Sequence, residues 1–512
     1  MFKKLALSLV LLQAINVNAA ISLTKIATYN TSLGSGSAEI SAYDKGSQRL
    51  FVINSEFGSF SIVDLSNVTS PTLISTIDVS TIGMTTTSIT VYDGLVAVAI
   101  PHNNITENGS VAFFDINGQL LNQLTVGALP DMITFNHQGD KVLVANEGEA
   151  YGGVDPDGSI SIIDLANGVH SATVSHLSFT AFNTGRPRAN ELPVNTIIFP
   201  SKEVSEDLEP EYISILKDDS KAYVTLQENN AVAVIDLHNN SIEAIHALGF
   251  KDYSLIGNEF DPSNKDGVGG LGSIEIDNWP VFGMYQPDAI ASYSINGINY
   301  YLTANEGDVR EEDVRVKDLT LNAQSFPNLA TLQTDAELGR LKVSSVLGDT
   351  DQDNEFEKLY AYGARSFSIW NAQTGIQVYD SGSQMENQVA IQTPAQFNTN
   401  RSMTGTFDSR SDDKGPEPEG IIVAEIGSQQ FAFVGLERVG GVMVYNISEP
   451  QAASFEMYQP STDADAAPEG LTFINSVDNS SGKNLLLVSH EDTGTIAIYS
   501  VVDTIHKKGF EP

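Results

Sequence analysis

Apolar residues recur along this chain in short runs, each bounded by Gly, Pro, Asn or Asp, and no stretch carries a helical period. The segment Ala128–Leu165, ALPDMITFNHQGDKVLVANEGEAYGGVDPDGSISIIDL, sets the pattern. A Pro-acid pair (Pro130, Asp131) opens a strand, and Asn136–Asp140 turns the chain. A second strand, Lys141–Ala145, ends in Asn146-Glu147-Gly148, and a third, Ser159–Leu165, closes on Asp164. Six further copies can be traced. They open at Glu39, Ser88, Glu209 (Pro210-Glu211), Tyr285 (Pro287-Asp288), Pro418-Glu419 and Pro468-Glu469. The copy at Ser88 lacks both acids.

A period of roughly 40 to 50 residues predicts the blades of a propeller. The expected fold is all-β: a seven-bladed β-propeller formed as one domain over 21–512, with insertions at about 170–208, 250–283, 307–365 and 372–415. The last copy leaves little chain for a fourth strand. Ile21–Tyr29 has no partner nearby and is expected to close that blade, which removes an exposed edge.

In a blade, the start of strand one and the end of strand two share a face near the axis. Repetition therefore predicts two acidic rings: an inner set of Glu39, Asp131, Glu211, Asp288, Glu419 and Glu469, and a second set of Glu56, Glu147, Glu228, Glu306, Glu437 and Glu491. Like charges so arranged need a counter-charge, and bound cations would supply it. Taken singly, each acid is better explained as a hydrogen-bond acceptor joining neighbouring blades, whereas the set as a whole points to a cation-binding mouth. One insertion adds Asp349, Asp351, Asp353 and Glu355, oxygen ligands at alternate positions, as in loops that wrap Ca²⁺. The loop is not an EF-hand, because Tyr360 stands where the bidentate Glu belongs. The expected cofactor is Ca²⁺, with another divalent metal as the alternative.

Composition sharpens this picture. Across 512 residues, 27 Lys and Arg stand against 65 Asp and Glu, for a formal charge of −38. Such a chain repels nucleic acid and anionic membrane surfaces. With no cysteine, it has neither disulfides nor thiolate chemistry. Lys3, Lys4, an apolar Leu5–Ile15 and a small-residue Val17–Ala20 predict a signal peptide over 1–20. The tail Ile505–Pro512 shows no anchor. The chain is thus expected to be exported, periplasmic or extracellular, and monomeric.

Positive charge is scarce, so its placement matters. Arg310, Arg365, Arg410, Lys414 and Arg438 all fall on loops of the acidic face, where an Arg beside bound cations can clamp a phosphate or carboxylate. Internal ion pairing explains each one equally well. Arg365, Arg410 and Arg438 are the candidate catalytic cations. His490, the one histidine at a repeat position on that face, is a candidate acid/base or a plain polar replacement for Asn.

The runs NEGDVR (Asn305–Arg310), YAYGARSFSIW (Tyr360–Trp370), FDSRSDDKGPEPEG (Phe407–Gly420) and FVGLERVGGVMVYNI (Phe433–Ile447) resemble the choice-of-anchor I family of exported proteins. VTLQENNAVAVIDL (Val224–Leu237) belongs to the same resemblance, which covers essentially the whole mature chain. The family includes atypical alkaline phosphatases and mesenchyme-type cell-surface glycoproteins. It implies calcium together with phosphate or carbonate chemistry, and so a small phosphorylated substrate or a mineral or other ligand. The acidic mouth is also similar to that of β-propeller phytases. Two functions follow as expectations: a calcium-dependent phosphomonoesterase, or a non-catalytic calcium-binding surface protein.

Overall fold

A computed structural model describes residues 21–309, 312–401, 405–462 and 464–504. The signal-peptide expectation (1–20), the tail from Ile505 and Arg310 lie outside the described residues. Seven four-stranded antiparallel sheets account for the repeats. Their first strands touch in a closed cycle, in which Pro468–Ile474 of the last sheet meets Ser41–Asp44 of the first. Backbone seals this seam, where Gly470 N donates to Glu39 O at 3.2 Å. The architecture is a β-propeller, as the repeat predicts.

Ring closure follows from the chain ends. Ile21–Asn30 pairs antiparallel with Thr495–Asp503, from Ile21 opposite Asp503 to Asn30 opposite Thr495. It is the outermost strand of the last sheet, and its own Ile21, Leu23 and Tyr29 are buried. Between neighbouring sheets lie apolar clusters such as Phe51, Ile53, Phe60 and Phe114, built from the alternating inward positions of the middle strands.

Apart from the last, each repeat contains one strand more than the three its sequence pattern marks. Thr173–Ser178 and Gln377–Asp380 are fourth strands, although both fall in segments expected to be insertions. These outer strands are largely solvated; in the first sheet, Thr72–Asp78 alternates between exposed and half-buried residues. The insertions are also more ordered than expected. Phe250–Asp252, Phe282–Met284, Tyr360–Ala361, Lys342–Ser344 and Asp313–Arg315 form an eighth, five-stranded sheet, drawing on two insertions far apart in sequence. It has its own core, including Tyr253, Phe260, Val316, Leu341 and Phe356. The insertion after Gln377–Asp380 carries the helix Gln384–Gln392.

Candidate functional site: an acid-lined axial well

The strand-opening motif is a bulge. Pro130 pairs with Asn146 and Ile133 with Val144, so three residues advance on one strand for two on the other. Pro210, Pro418 and Pro468 repeat this shift. The residue before the proline is left-handed in Leu129 (φ 44°), Gln286 (φ 40°), Glu417 (φ 54°) and Ala467 (φ 56°). Such φ values are uncommon outside glycine and mark a backbone held by its surroundings. The bend and bulge together deliver the following acid to the ring axis.

There Asp131, Asp288, Glu419 and Glu469 line a cavity of about 190 Å³ with Ile40, Met132 and Tyr212. A second space of about 140 Å³ adjoins it and shares Ile40, Met132 and Tyr212, which form an apolar waist. The well suits small ions and their waters rather than a drug-sized ligand. The repeat that lacks acids contributes Thr87 and Ser88 to the wall. Thr87 Oγ1 donates to Pro130 O at 2.6 Å, so this position is filled and tied to its neighbour.

The electrostatics of the well follow from this crowding. Burial, then the nearby Glu228, Glu147, Asp288 and Asp131, push Glu211 well above the usual carboxylate range. Burial, then Glu437, Glu306, Glu469 and Asp288, do the same to Glu419. Glu469 is raised by burial and by Glu39, Glu491, Asp288 and Glu437. Asp288 and Glu147 are raised likewise. Burial lifts Asp131 to about 6 and, with neighbouring acids, Glu39 to about 7. These cross-ring influences connect nearly every repeat to its neighbours across the axis.

Blade-to-blade bonding runs mainly through the backbone of these segments, as in Thr225 Oγ1 donating to Asp288 O at 3.0 Å. Meanwhile Glu211 Oε2, Glu419 Oε2 and Glu469 Oε2 are buried without a hydrogen-bond partner. Buried carboxylate oxygens without a partner in so acidic a lining attract positive charge. An all-oxygen donor set fits a hard divalent ion.

Two members of the second ring stand one residue past the register position, yet still act on its neighbours, Glu228 on Glu211 and Glu56 on Glu39. The residue after the proline's partner is Glu147, Glu437 or Glu491 in three sheets, but Gln227 in the sheet opened by Pro210. Glu228 stands one residue further on. Likewise Asn54, whose amide bonds Ser59 and Ser61 as Asn146 bonds Ser159 and Ser161, is followed by Ser55, leaving Glu56 beyond it and exposed. Ser55 Oγ donates to Glu39.

The scarce cations are held by acids. Glu417, which has no exposed surface, bonds Arg410 at 2.6 Å, Lys414 at 3.0 Å and Arg438 at 3.4 Å. Lys414 also reaches Glu306 at 2.5 Å, and Arg438 reaches Glu437 at 2.9 Å. The carboxylates of Glu306, Glu417 and Glu437 lie within 4.8 Å of one another, knitted by these cations. Burial outweighs Arg438 and leaves Glu437 at about 8. Arg438 is the catalytic candidate that the ring acids surround.

Arg365 is elsewhere. It is 4% exposed and donates to Glu386 and to the carbonyls of Asp261, Ser411 and Asp413, all within 2.8 Å. Four of its N–H groups are thus used in joining loops. His490 is 1% exposed, and burial pushes its imidazole down to about 4, so it is neutral beside Asp465. Neither side chain offers the well an open group.

In the Asp349 loop, Asp349, Asp351 and Asp353 converge within 4.8 Å, while Glu355 stays outside the group and accepts from Asn322. Asp349 also caps its own turn through the N–H groups of Asp353 (3.1 Å) and Asn354 (2.9 Å).

The profile of the choice-of-anchor I domain matches residues 39–450. The chain belongs to the choice-of-anchor I family. It is 34% identical over 193 residues to gigasin-3a of Magallana gigas, a match covering 34% of this chain and 68% of that protein. It is 25% identical over 282 residues to the mesenchyme-specific cell surface glycoprotein of Strongylocentrotus purpuratus, covering 48% of this chain and 35% of that one. The chain therefore spans only about a third of that glycoprotein's length. Among solved structures it is similar to Kuenenia stuttgartiensis hydrazine synthase (TM-score 0.45, 11% identity, 92% and 96% of the two chains). It is also similar to the β-propeller domain of Myceliophteria thermophila Cps50 (TM-score 0.45, 9% identity, 94% and 100%). No helix among the described residues is long and apolar enough to cross a membrane.

Proposed function

We propose that this choice-of-anchor I propeller is an exported protein whose axial well binds divalent cations, calcium first, and through them an anionic ligand. The observation that carries the reading is the pair of buried, unpartnered oxygens on Glu419 and Glu469, in a wall shared with Asp131 and Asp288, with a third on the neighbouring Glu211. Export is supported by the kinship with a cell surface glycoprotein and by the leader-like start of the chain.

Hydrolysis of phosphate monoesters is a second reading, favoured by one observation. Arg438 sits among Glu437, Glu417, Glu419 and Glu306 and is still partly solvated. A bound cation would supply positive charge for the ester oxygens, and Arg438 is the protein's own group placed to share that work. Arg365 and His490 do not enter this reading, since both are buried away from solvent.

The test is calorimetric titration of the purified chain with Ca²⁺, beside the Glu419→Gln/Glu469→Gln variant. Heat of binding in the parent and a smaller heat with fewer ions bound in the variant is the expected result. Equal binding in both would overturn the proposal. A generic phosphomonoester, assayed with calcium and then with chelator, separates the two readings: turnover lost with chelator and in Arg438→Ala supports hydrolysis, and no turnover leaves a binding protein.

A further inference from the structure

A second acidic centre lies outside the well, in loops contributed by two different insertions. Asp261 and Asp266 belong to the segment DPSNKDG, and Asp408 begins DSRS. Their carboxylates present one oxygen each within a 4.8 Å cluster. Asp261 and Asp408 have no exposed surface. Among the described residues, none of the three forms an ion pair with Lys or Arg. The nearby guanidinium groups go elsewhere, Arg365 to Glu386 at 2.6 Å and Arg340 to Asp412 at 2.8 Å.

Hydrogen bonds aim the carboxylates without satisfying them. Ser273 N donates to Asp266 Oδ1 at 2.8 Å, and Ser411 Oγ donates to Asp408 Oδ1. The other oxygen of each, Asp266 Oδ2 and Asp408 Oδ2, is buried with no partner. Asp408 Oδ2 faces the loop that carries Asp266. A Cβ on Gly272 would come within 2.1 Å of it, so only glycine allows this approach. Asp261 accepts from Ser263 N at 3.2 Å and Glu275 N at 2.9 Å. Three crowded carboxylates, two of them with an orphaned oxygen and none with a basic partner, call for a cation, and an all-oxygen donor set selects a hard one.

We propose that Asp261, Asp266 and Asp408 hold a divalent cation of the calcium type that staples the eighth-sheet insertion to the loop 397–417. Among its described residues that loop has no regular strand or helix, yet it presents Arg410, Lys414 and Glu417 to the second acidic ring. The staple is therefore a positioning site for the mouth of the well, distinct from any ion within it.

Trp279 makes the site measurable. Its indole Nε1 donates to Phe260 O at 3.0 Å, one residue from Asp261. Terbium luminescence, excited through tryptophan, is read on the full chain and displaced with calcium. The expected outcome is a signal that Asp408→Asn and Asp266→Asn lose, together with one bound calcium ion per chain by elemental analysis. Trp279→Phe should lose the signal and keep the ion. Glu419→Gln/Glu469→Gln should keep the signal, so a failed well proposal remains distinguishable. Should Asp408→Asn not fold, Asp266→Asn decides, because asparagine retains an oxygen for the Ser273 bond. Parent-like luminescence and calcium content in Asp266→Asn would overturn the site.

Discussion

Arg410 Nη2 lies 2.6 Å from Oε1 of Glu417, a carboxylate with no exposed surface that also serves Lys414 and Arg438. Burial alone would raise Glu417, but the three cations outweigh it and hold the carboxyl below its ordinary 4.5. Removing this one group takes the shared partner from three cations and leaves Arg410 to Asp413, Lys414 to Glu306 and Arg438 to Glu437. Glu417→Ala should cost about 3–5 kcal/mol in denaturant unfolding, the scale for breaking a buried pair. The sign with pH follows from the lowered value. The stabilisation is full above about pH 4.5 and fades as pH falls through the folded value. Glu417→Gln should therefore flatten the acid limb of the stability curve. A parent-like acid limb in that variant would show that Glu417 does not control it.

The ring acids predict the opposite slope. Asp131 is raised to about 6, Glu39 to about 7 and Glu437 to about 8, burial being the first cause in each. An acid raised by folding binds its proton more tightly in the native state, so native stability falls as pH climbs from the unfolded value near 4 toward these values. In chelator, melting temperature should drop by a few degrees between about pH 5 and pH 8. Calcium should remove the drop and release protons on binding. A melting temperature flat in pH without metal would count against crowded ring carboxylates.

Much of this arrangement could be read from the chain, and the failures have physical causes. Pro130-Asp131 and its relatives located the axis because proline and a following acid recur in every repeat but the two that open at Glu39 and Ser88. The outer strands escaped notice because strands such as Thr72–Asp78 pack on one side only and lack an apolar run. The eighth sheet escaped because its strands are two or three residues long, too short for alternation to show, and its partners are sequence-distant. Glu228 and Glu56 were placed in the ring by counting from the strand end, whereas the pairing register assigns those places to Gln227 and Ser55. The Asp261–Asp408 centre has no local spacing to betray it, since its ligands come from two insertions.

Strain before the prolines offers a backbone test. Ala467 sits at φ 56° ahead of Pro468-Glu469. A left-handed alanine costs about 1 kcal/mol, which glycine avoids at some cost in chain entropy. Ala467→Gly should be neutral or stabilising by up to about 1 kcal/mol, and Ala467→Val destabilising by more than that. Equilibrium unfolding reads both, and a clearly destabilised glycine variant would contradict the bend.

Ring closure rests on the pairing of Ile21 with Asp503 and its continuation to Asn30. Removing residues 21–30 would expose the Thr495–Asp503 edge along its length and uncover the core that Ile21, Leu23 and Tyr29 seal. The milder Ile21→Ala should cost about 2–4 kcal/mol, the range for truncating a buried side chain. The deletion should aggregate on heating, measured by light scattering. A deletion variant that melts reversibly near the parent temperature would mean the last sheet closes without its fourth strand.

Gln227 supplies the most selective test of the second ring. Its Nε2 donates to Glu306 Oε2 at 3.0 Å, where most other repeats place an acid. Gln227→Glu replaces that bond with a like-charge contact and adds one more carboxylate to the mouth. In chelator the variant should be less stable by about 1–2 kcal/mol, the cost of losing a partnered donor and gaining repulsion. In calcium the order should reverse or the gap should close, because an added acidic ligand tightens a hard-cation site. Glu228→Gln, one residue along, removes a charge from beside Glu211 and Glu147 and should not tighten calcium binding. The two substitutions differ by a single position, so titrating both with calcium separates a ring set by strand register from a diffuse attraction of cations to an acidic face. Tighter calcium binding in Gln227→Glu alone is the expected result, and equal responses from the two positions would favour the diffuse field.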